Sequence, residues 1–231
     1  MADDPVVGSD EAGKGPVLGP MVAAAVRAPS ESIPDGVDDS KRLSPAKRES
    51  IAEVLREHEA VAVGVAVVST DRIDDPETDM NTLTVEAHAE AVAGVARRDD
   101  AVVADAGDVS ESRFARRVRE GVERRVGADD SPSASPTLDV HAEHGADGSY
   151  PLVAAASVVA KVERDARIDA LADDYAEYAP LGSGYPSDRT TRDFLRKYVE
   201  RTGELPDCAR ASWSTSADVL AAAEQSGLSE F

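Results

Sequence analysis

The order in which apolar periodicities change along the chain restricts the fold more than any other feature. Two short apolar segments, Pro5–Ser9 and Val17–Val26, flank a glycine-rich turn at Ala12–Gly15 and read as an antiparallel hairpin. Ser44-Pro45 then supplies an N-cap and a first-turn proline for a helix over Ala46–His58. The β-branched alternation of Val61–Val68 predicts a strand. Helical spacing of Leu83, Ala87, Ala91 and Val95 within Asn81–Arg97 leads into a short apolar strand, Ala101–Ala104, that ends at Asp105. A charge-rich helix over Ser110–Val126, an exposed loop at Gly127–Pro136 and a strand at Thr137–His141 follow, then helices over Ala154–Tyr178, Arg189–Glu200 and Ala217–Gln225. Strands first, then helices alternating with strands, fit an α/β fold with a mixed sheet flanked by helices better than an all-helical or all-β domain.

A chain of 231 residues has room for one large domain, or one domain with an appendage. Its apolar residues are mostly Ala and Val, against 3 Phe, 1 Trp and 5 Tyr, so the core must be assembled from small side chains. The charge-free run Ala60–Thr70 falls far short of the ~20 residues a membrane span needs. The acidic start Met1-Ala2-Asp3-Asp4 lacks the pattern of a secretory signal, and a cytoplasmic location is expected. Cys208 is the only cysteine, which excludes an intrachain disulfide and a multi-cysteine zinc site. His58, His88, His141 and His144 contain no H-x-x-x-H pair, so metal chemistry would fall mainly to oxygen ligands. The formal charge is −20, with 45 Asp+Glu against 25 Lys+Arg, of which five are lysines. That balance reads as adaptation to a very salty cytoplasm, where dense cations screen self-repulsion. An acidic protein that avoids nucleic acid is the alternative.

With so many acids, position has to single out the ones that matter. Asp10 and Glu11 follow Val6-Val7-Gly8-Ser9, Asp105 follows Ala101-Val102-Val103-Ala104, and Asp147 follows the strand ending near His141. Neighbouring residues of a strand face opposite ways, so Asp10 and Glu11 are expected to share a site only if the backbone leaves strand geometry there. Carboxylates converging from strand ends would repel one another unless divalent cations lay between them, and oxygen-only ligands suit Mg²⁺ or Mn²⁺. Two such ions can activate water and stabilise the leaving oxygen of a phosphodiester. On spacing alone, four capping or solvated acids explain the pattern as well. Gly13-Lys14-Gly15-Pro16 brings backbone N–H groups and a cation close to a ligand, or simply makes a tight turn; it lacks the Walker spacing. Ser157 lacks the G-x-S-x-G elbow and reads as helix packing or a phosphate contact.

Taken together, Gly8-Ser9-Asp10-Glu11-Ala12-Gly13-Lys14-Gly15-Pro16-Val17-Leu18-Gly19-Pro20 closely resembles the opening signature of ribonuclease HII. Matching blocks continue in order: Asp39–Ser44, Asp105–Val109, Glu143–Asp147, Ala154–Asp165 and Gly182–Asp188. The ending Arg210-Ala211-Ser212-Trp213-Ser214-Thr215 looks like the archaeal branch. The resemblance implies an RNase H-like mixed five-stranded sheet flanked by helices, with residues 1–180 as catalytic domain and 181–231 as a helical C-terminal extension. It implies endonucleolytic hydrolysis of the RNA strand of RNA–DNA hybrids, and of ribonucleotides embedded in duplex DNA, leaving 5′-phosphate and 3′-hydroxyl ends.

Carried over by position, Asp10, Glu11, Asp105 and Asp147 resemble the family's metal-binding acids, holding two Mn²⁺ or Mg²⁺ ions with Asp10 shared between them. Gly13, Lys14 and Gly15 match the loop that reads the ribose 2′-hydroxyl, with Tyr185 stacking beside the junction sugar. Ser40, Lys41, Lys161 and Arg164 would hold flanking phosphates. A monomer is expected, with a sliding clamp as a candidate partner and, from the hydropathy above, no membrane association. Three departures stand out: Gly145 where the family often has Lys, Arg189 for a common Pro, and Lys14 for Arg, which keeps charge but loses the planar fork. Two other readings stay open, another nuclease or resolvase on the same fold and a nucleic-acid-binding protein without turnover.

Overall fold

The computed structural model describes residues 6–37, 43–97, 99–126 and 138–228. Five strands, β1 (Val6–Ala12), β2 (Met21–Ala28), β3 (Ala62–Val68), β4 (Ala101–Asp105) and β5 (Asp139–Glu143), form one sheet in the order β3-β2-β1-β4-β5. β1 runs antiparallel to β2 and parallel to β4, which is parallel to β5, so the sheet is mixed as expected. The helices are α1 (Pro45–Glu57), α2 (Thr70–Ile73), α3 (Met80–Ala93), α4 (Glu111–Val126), α5 (Pro151–Asp174), α6 (Arg189–Thr202) and α7 (Ser214–Leu228). The loop expected at Gly127–Pro136 lies outside the described residues.

Several boundaries differ from the sequence reading: β1 runs on to Ala12, α5 spans Pro151–Asp174 instead of Ala154–Tyr178, and two strand starts move. The second strand begins at Met21 rather than Val17, because Gly19 takes a positive φ of 74° and Pro20 follows it. Val17 and Leu18 are buried elsewhere, as described below. β5 starts at Asp139 and runs on to Glu143, which carries its last residue level with Asp105 of β4.

By packing, the chain divides into two compact units that interleave along the sequence. The first takes its described residues from Met1–Ala12, Val22–Val67 and Met80–Glu163, the second from Gly13–Met21, Val68–Asp79 and Arg164–Phe231.

The first unit holds the sheet. β2 reads as a nearly continuous apolar run and is buried almost throughout, as a strand covered on both faces requires. Ala24, Val26 and Ala28 pack with Ile51, Ala52 and Leu55 of α1 and with the Ala/Val face of α5. Side chains this small let α5 approach β1 closely. A Cβ on Gly8 would lie 2.2 Å from the Leu152 carbonyl carbon and 2.4 Å from the Val153 amide nitrogen, so only glycine admits α5 here. On the other face α3 covers β1 and α4 covers β5. α3 is buried on nearly every side, from Leu83 to Val92, with His88 among its buried residues. Strand β3, at the sheet edge, alternates between buried and exposed positions, with Val65 and Val67 facing out.

The second unit has its own core of Val17, Leu18, Leu181, Phe194, Leu195 and Cys208. Its first segment is stitched to its last by backbone hydrogen bonds. Val17 N donates to Gly184 O (2.8 Å), Gly19 N to Cys208 O (2.8 Å) and Arg210 N to Val17 O (2.8 Å). Asp74, which follows α2, accepts from the amides of Ala211 and Ser212 at 2.7 and 2.9 Å. Tyr175, Tyr178, Phe194 and Tyr198, four of the nine Phe, Trp and Tyr residues of the chain, form a ring cluster here with centroids 4.7–6.2 Å apart.

Candidate functional site

β1 keeps strand geometry through Ala12, paired with β2 as far as Ala12↔Val22, which corrects the expectation that the backbone leaves it at Asp10-Glu11. Alternation is also kept. Asp10 lies on the α5 face, beside Ser157, and Glu11 on the α3 face, beside His88. The two carboxylates nonetheless converge, because the ladder between β1 and β4 stops at Ser9↔Ala104. Beyond that point the parallel strands part. The Glu11 amide donates to Asp10 Oδ1 at 2.7 Å, which links the two neighbouring acids. Asp105, the last residue of β4, faces the same opening.

Among the described residues, Asp10, Glu11 and Asp105 offer carboxylate oxygens that all lie within 4.8 Å of one another. Asp10 is only 5% exposed. Burial, and then the charge of Glu11, push its carboxyl up to about 7, with Asp105 adding to the rise. Ser157 and Lys161 work the other way: the Lys161 ammonium donates to Ser157 Oγ one helical turn away, and both favour the ionised acid. Asp105 is raised too, by burial first and then by Glu11 and Asp147, while the Ala146 amide donates to its Oδ1 at 2.9 Å and limits the rise. Three acids forced this close are costly as bare anions and well matched to a hard divalent cation, so the donor set fits Mg²⁺ or Mn²⁺.

Asp147 sits in a single 3₁₀ turn, Ala146–Gly148, that Gly145 enters with φ 71°. It is buried and near enough for its charge to act on Asp105, but it falls outside the group of three. Gly145 occupies open space: a Cβ there would meet nothing within 4 Å, so the departure from lysine relieves the left-handed turn rather than a clash. His144 closes the same turn onto α4, with its ring nitrogens at 2.8 Å from a Glu111 carboxylate oxygen and from the Asp108 carbonyl.

In the second unit, Gly13, Lys14 and Gly15 have their carbonyls turned toward one partner segment. Arg210, fully buried, donates to Gly13 O (2.6 Å), Lys14 O (3.0 Å) and Gly19 O (3.0 Å), and Trp213 Nε1 donates to Gly15 O (3.2 Å). A trans peptide plane sends the amides of Lys14 and Gly15 the opposite way, which is the disposition of a loop that offers N–H groups to a ligand. Gly13 is required: at φ 89° a Cβ would come within 2.5 Å of the Arg164 side chain and 2.8 Å of Pro20 O. Arg164 is buried under that loop and reaches the Leu18 and Ser183 carbonyls only at 3.4 and 3.5 Å. Among the described residues its Nε has no hydrogen-bond partner, and its guanidinium carbon stands 5.5 Å from the centre of the Tyr185 ring, which is 42% exposed. Of the other residues expected to hold phosphates, Lys161 lies beside Asp10, and Ser40 and Lys41 lie outside the described residues.

Sequence reasoning missed three contributors. Arg210 entered only as part of a terminal block, yet it is the donor that orders the glycine loop. Ser9 and His88 form a buried chain with Glu11: His88 Nδ1 lies 2.9 Å from Ser9 Oγ and Nε2 lies 2.8 Å from Glu11 Oε2. The available signal was a histidine inside the apolar stripe of a helix, one residue after Ala87, where a polar ring must find partners.

Comparison with known proteins agrees with this geometry. The ribonuclease HII family matches residues 7–216. The ribonuclease HII of Halobacterium salinarum is 58% identical over 224 residues, covering 97% of this chain and 98% of its own. The crystal structure of the ribonuclease H2 from Pyrococcus horikoshii superposes with a TM-score of 0.81 at 33% identity, covering 96% of this chain and 99% of that one. An Archaeoglobus fulgidus RNase HII, solved as a complex with PCNA, gives 0.76 at 35% identity, covering 90% and 95%. The family match over residues 7–216 and relatives that cover nearly the whole chain, whose mixed five-stranded sheet carries the acid cluster, place the chain in the ribonuclease HII family, as a nuclease with RNase H activity on RNA–DNA hybrids.

Proposed function

We propose that the chain cleaves the RNA strand of RNA–DNA hybrids, and single ribonucleotides embedded in duplex DNA, leaving 5′-phosphate and 3′-hydroxyl ends. The observation that carries this reading is the convergence of Asp10, Glu11 and Asp105 at the open end of β1 and β4. These three, with Asp147, would hold Mn²⁺ or Mg²⁺, two ions in the active complex; when bound, the cations supply an activated water and charge stabilisation at the leaving oxygen.

The chain's own groups bind and orient. Lys14, flanked by Gly13 and Gly15, presents amides and an ammonium to the ribose 2′-hydroxyl, the group that separates RNA from DNA. Tyr185 stacks beside the junction sugar with Arg164 behind its ring. Ser40, Lys41, Lys161 and Arg164 contact flanking phosphates, which fix register without reading sequence. Residues 1–180 act as the catalytic part, with 181–231 as its helical extension. The chain works as a monomer, and the archaeal relative solved with PCNA supports a sliding-clamp partner for it as well. No helix among the described residues is long and apolar enough to cross a membrane.

The deciding assay incubates the protein with Mn²⁺ in concentrated KCl and labelled duplexes carrying zero, one or several ribonucleotides. Cleavage only where ribonucleotides occur, abolished by Asp105→Asn with the melting curve retained, is the expected result. Cutting of all-DNA duplex would instead mark another nuclease on this fold, and binding without any cleavage a protein that has lost turnover.

A further inference from the structure

His88 is completely buried, and the other buried residues of α3 are Leu, Val, Ala and Thr, a place where a polar ring is unfavourable unless both nitrogens are bonded. Both are. Its two partners, Ser9 and Glu11, stand two residues apart on the same face of β1, so one imidazole spans consecutive inward positions of the strand. An ionised carboxylate only accepts, so Nε2–H donates to Glu11 Oε2 at 2.8 Å. On the other side of the ring, Ser9 Oγ lies 2.9 Å from Nδ1 and 3.0 Å from the Ala24 carbonyl; with Nε2 protonated, Nδ1 accepts, and the single Ser9 proton serves one of these two acceptors at a time. Phe114 of α4 closes the remaining direction edge-on, with centroids 5.1 Å apart and planes at 84°.

Glu11 needs such a brace more than its neighbours do. It is the longest of the three clustered acids, with one more rotatable bond than aspartate, and ordering a glutamate costs on the order of 1–2 kcal/mol. In addition, the charges of Asp10 and Asp105 push it away from the very place where a cation would be shared. We propose that His88 is a positioning residue that holds the Glu11 carboxylate in register with Asp10 and Asp105 for divalent-cation binding, and that Ser9 fixes the ring in that task. His88 touches neither substrate nor cation; it acts through Glu11. The inference rests on reading the three acids as a cation site, and the test separates the two.

Mn²⁺ binding is measured by the loss of the free-ion electron paramagnetic resonance signal, on the whole chain, for wild type, His88→Phe, His88→Gln, Ser9→Ala and Asp105→Asn. Melting curves in EDTA check each fold. His88→Phe keeps a ring against Phe114 but removes the donor; its Mn²⁺ dissociation constant should rise about 10- to 100-fold, the usual effect of losing a group that orients a ligand. Cleavage by this variant should need correspondingly more Mn²⁺ and recover most of its turnover at saturation. His88→Gln, whose amide N–H replaces Nε2–H, should restore most of the affinity, and Ser9→Ala should weaken it several-fold. Unchanged Mn²⁺ affinity in His88→Phe, with Asp105→Asn still lowering it, would overturn the role of His88 and leave the cation site standing. Should His88→Phe not fold, Ser9→Ala decides, and unchanged affinity there rejects the proposal. Mn²⁺ binding indifferent to Asp105→Asn would instead reject the cation site itself.

Discussion

Asp10→Asn should make the cation-free protein more stable while it abolishes cleavage. Asp10 is almost fully buried, within reach of two other carboxylates, and its carboxyl is pushed up to about 7 from 3.8. At ~1.4 kcal/mol per pH unit, that displacement sets a ceiling of about 4 kcal/mol on the cost of ionising it in the folded state. Coulomb's law gives a similar figure, roughly 3.5 kcal/mol for two unit charges 4.8 Å apart at an effective dielectric of about 20. Asparagine removes the charge and keeps the shape, and its carbonyl can still accept from the Glu11 amide. The favourable attraction of Lys161 is lost with the charge, so a net gain of about 1–3 kcal/mol is expected. For a chain of this size that raises the melting temperature by roughly 3–10 °C.

The pH dependence follows from the sign of the displacement. An acid whose carboxyl is raised in the folded state costs nothing below its unfolded value of 3.8; the cost grows as pH climbs and is complete above about 7. Wild type should therefore lose stability relative to the variant between those limits. Thermal melts in EDTA should show the full advantage of Asp10→Asn at pH 8 and almost none at pH 4. Adding Mn²⁺ should raise the wild-type melting temperature far more than that of the variant. Equal or lower stability of the variant at pH 8, or a gain that is the same at both pH values, would refute the reasoning.

Gly13→Ala places a methyl 2.5 Å from the Arg164 side chain at a φ of 89°, and should destabilise the protein by about 1–3 kcal/mol in urea titrations while weakening ribonucleotide selectivity. Asp188 is held at about 2 by hydrogen bonds, chiefly from the Ser183 amide and hydroxyl, with the Thr190 amide and Thr191 hydroxyl adding to them. The stability it contributes is fully present above 3.8 and lost as pH falls through about 2, so Asp188→Asn should melt earlier than wild type at pH 6 and together with it near pH 2. Tyr185→Ala removes a half-exposed ring that stands beside the Arg164 guanidinium; melting should barely change, while the preference for the ribose–deoxyribose junction falls in the cleavage assay.

Much of this protein is written in local pattern. The caps and periodicities of Ser44-Pro45, Val61–Val68 and Ala101–Asp105 mark elements within a residue or two of where they lie, because capping and alternation are properties of neighbours in sequence. The ordered blocks from Gly8 to Thr215 likewise point to the family and to the four acids. Local pattern fails where partners are remote. Val17-Leu18 looks like the start of a strand but pairs with residues 184 and 208–210, a choice made by the far end of the chain. The convergence of Asp10 with Glu11 depends on where the β1–β4 ladder stops, which no spacing rule contains. Arg210 holds a loop 196 residues away, and His88 braces a carboxylate 77 residues away. Buried polar groups are satisfied by whatever the fold brings near them, so the sequence by itself determined which acids stand at strand ends, and only the tertiary structure decided which side chains keep them there.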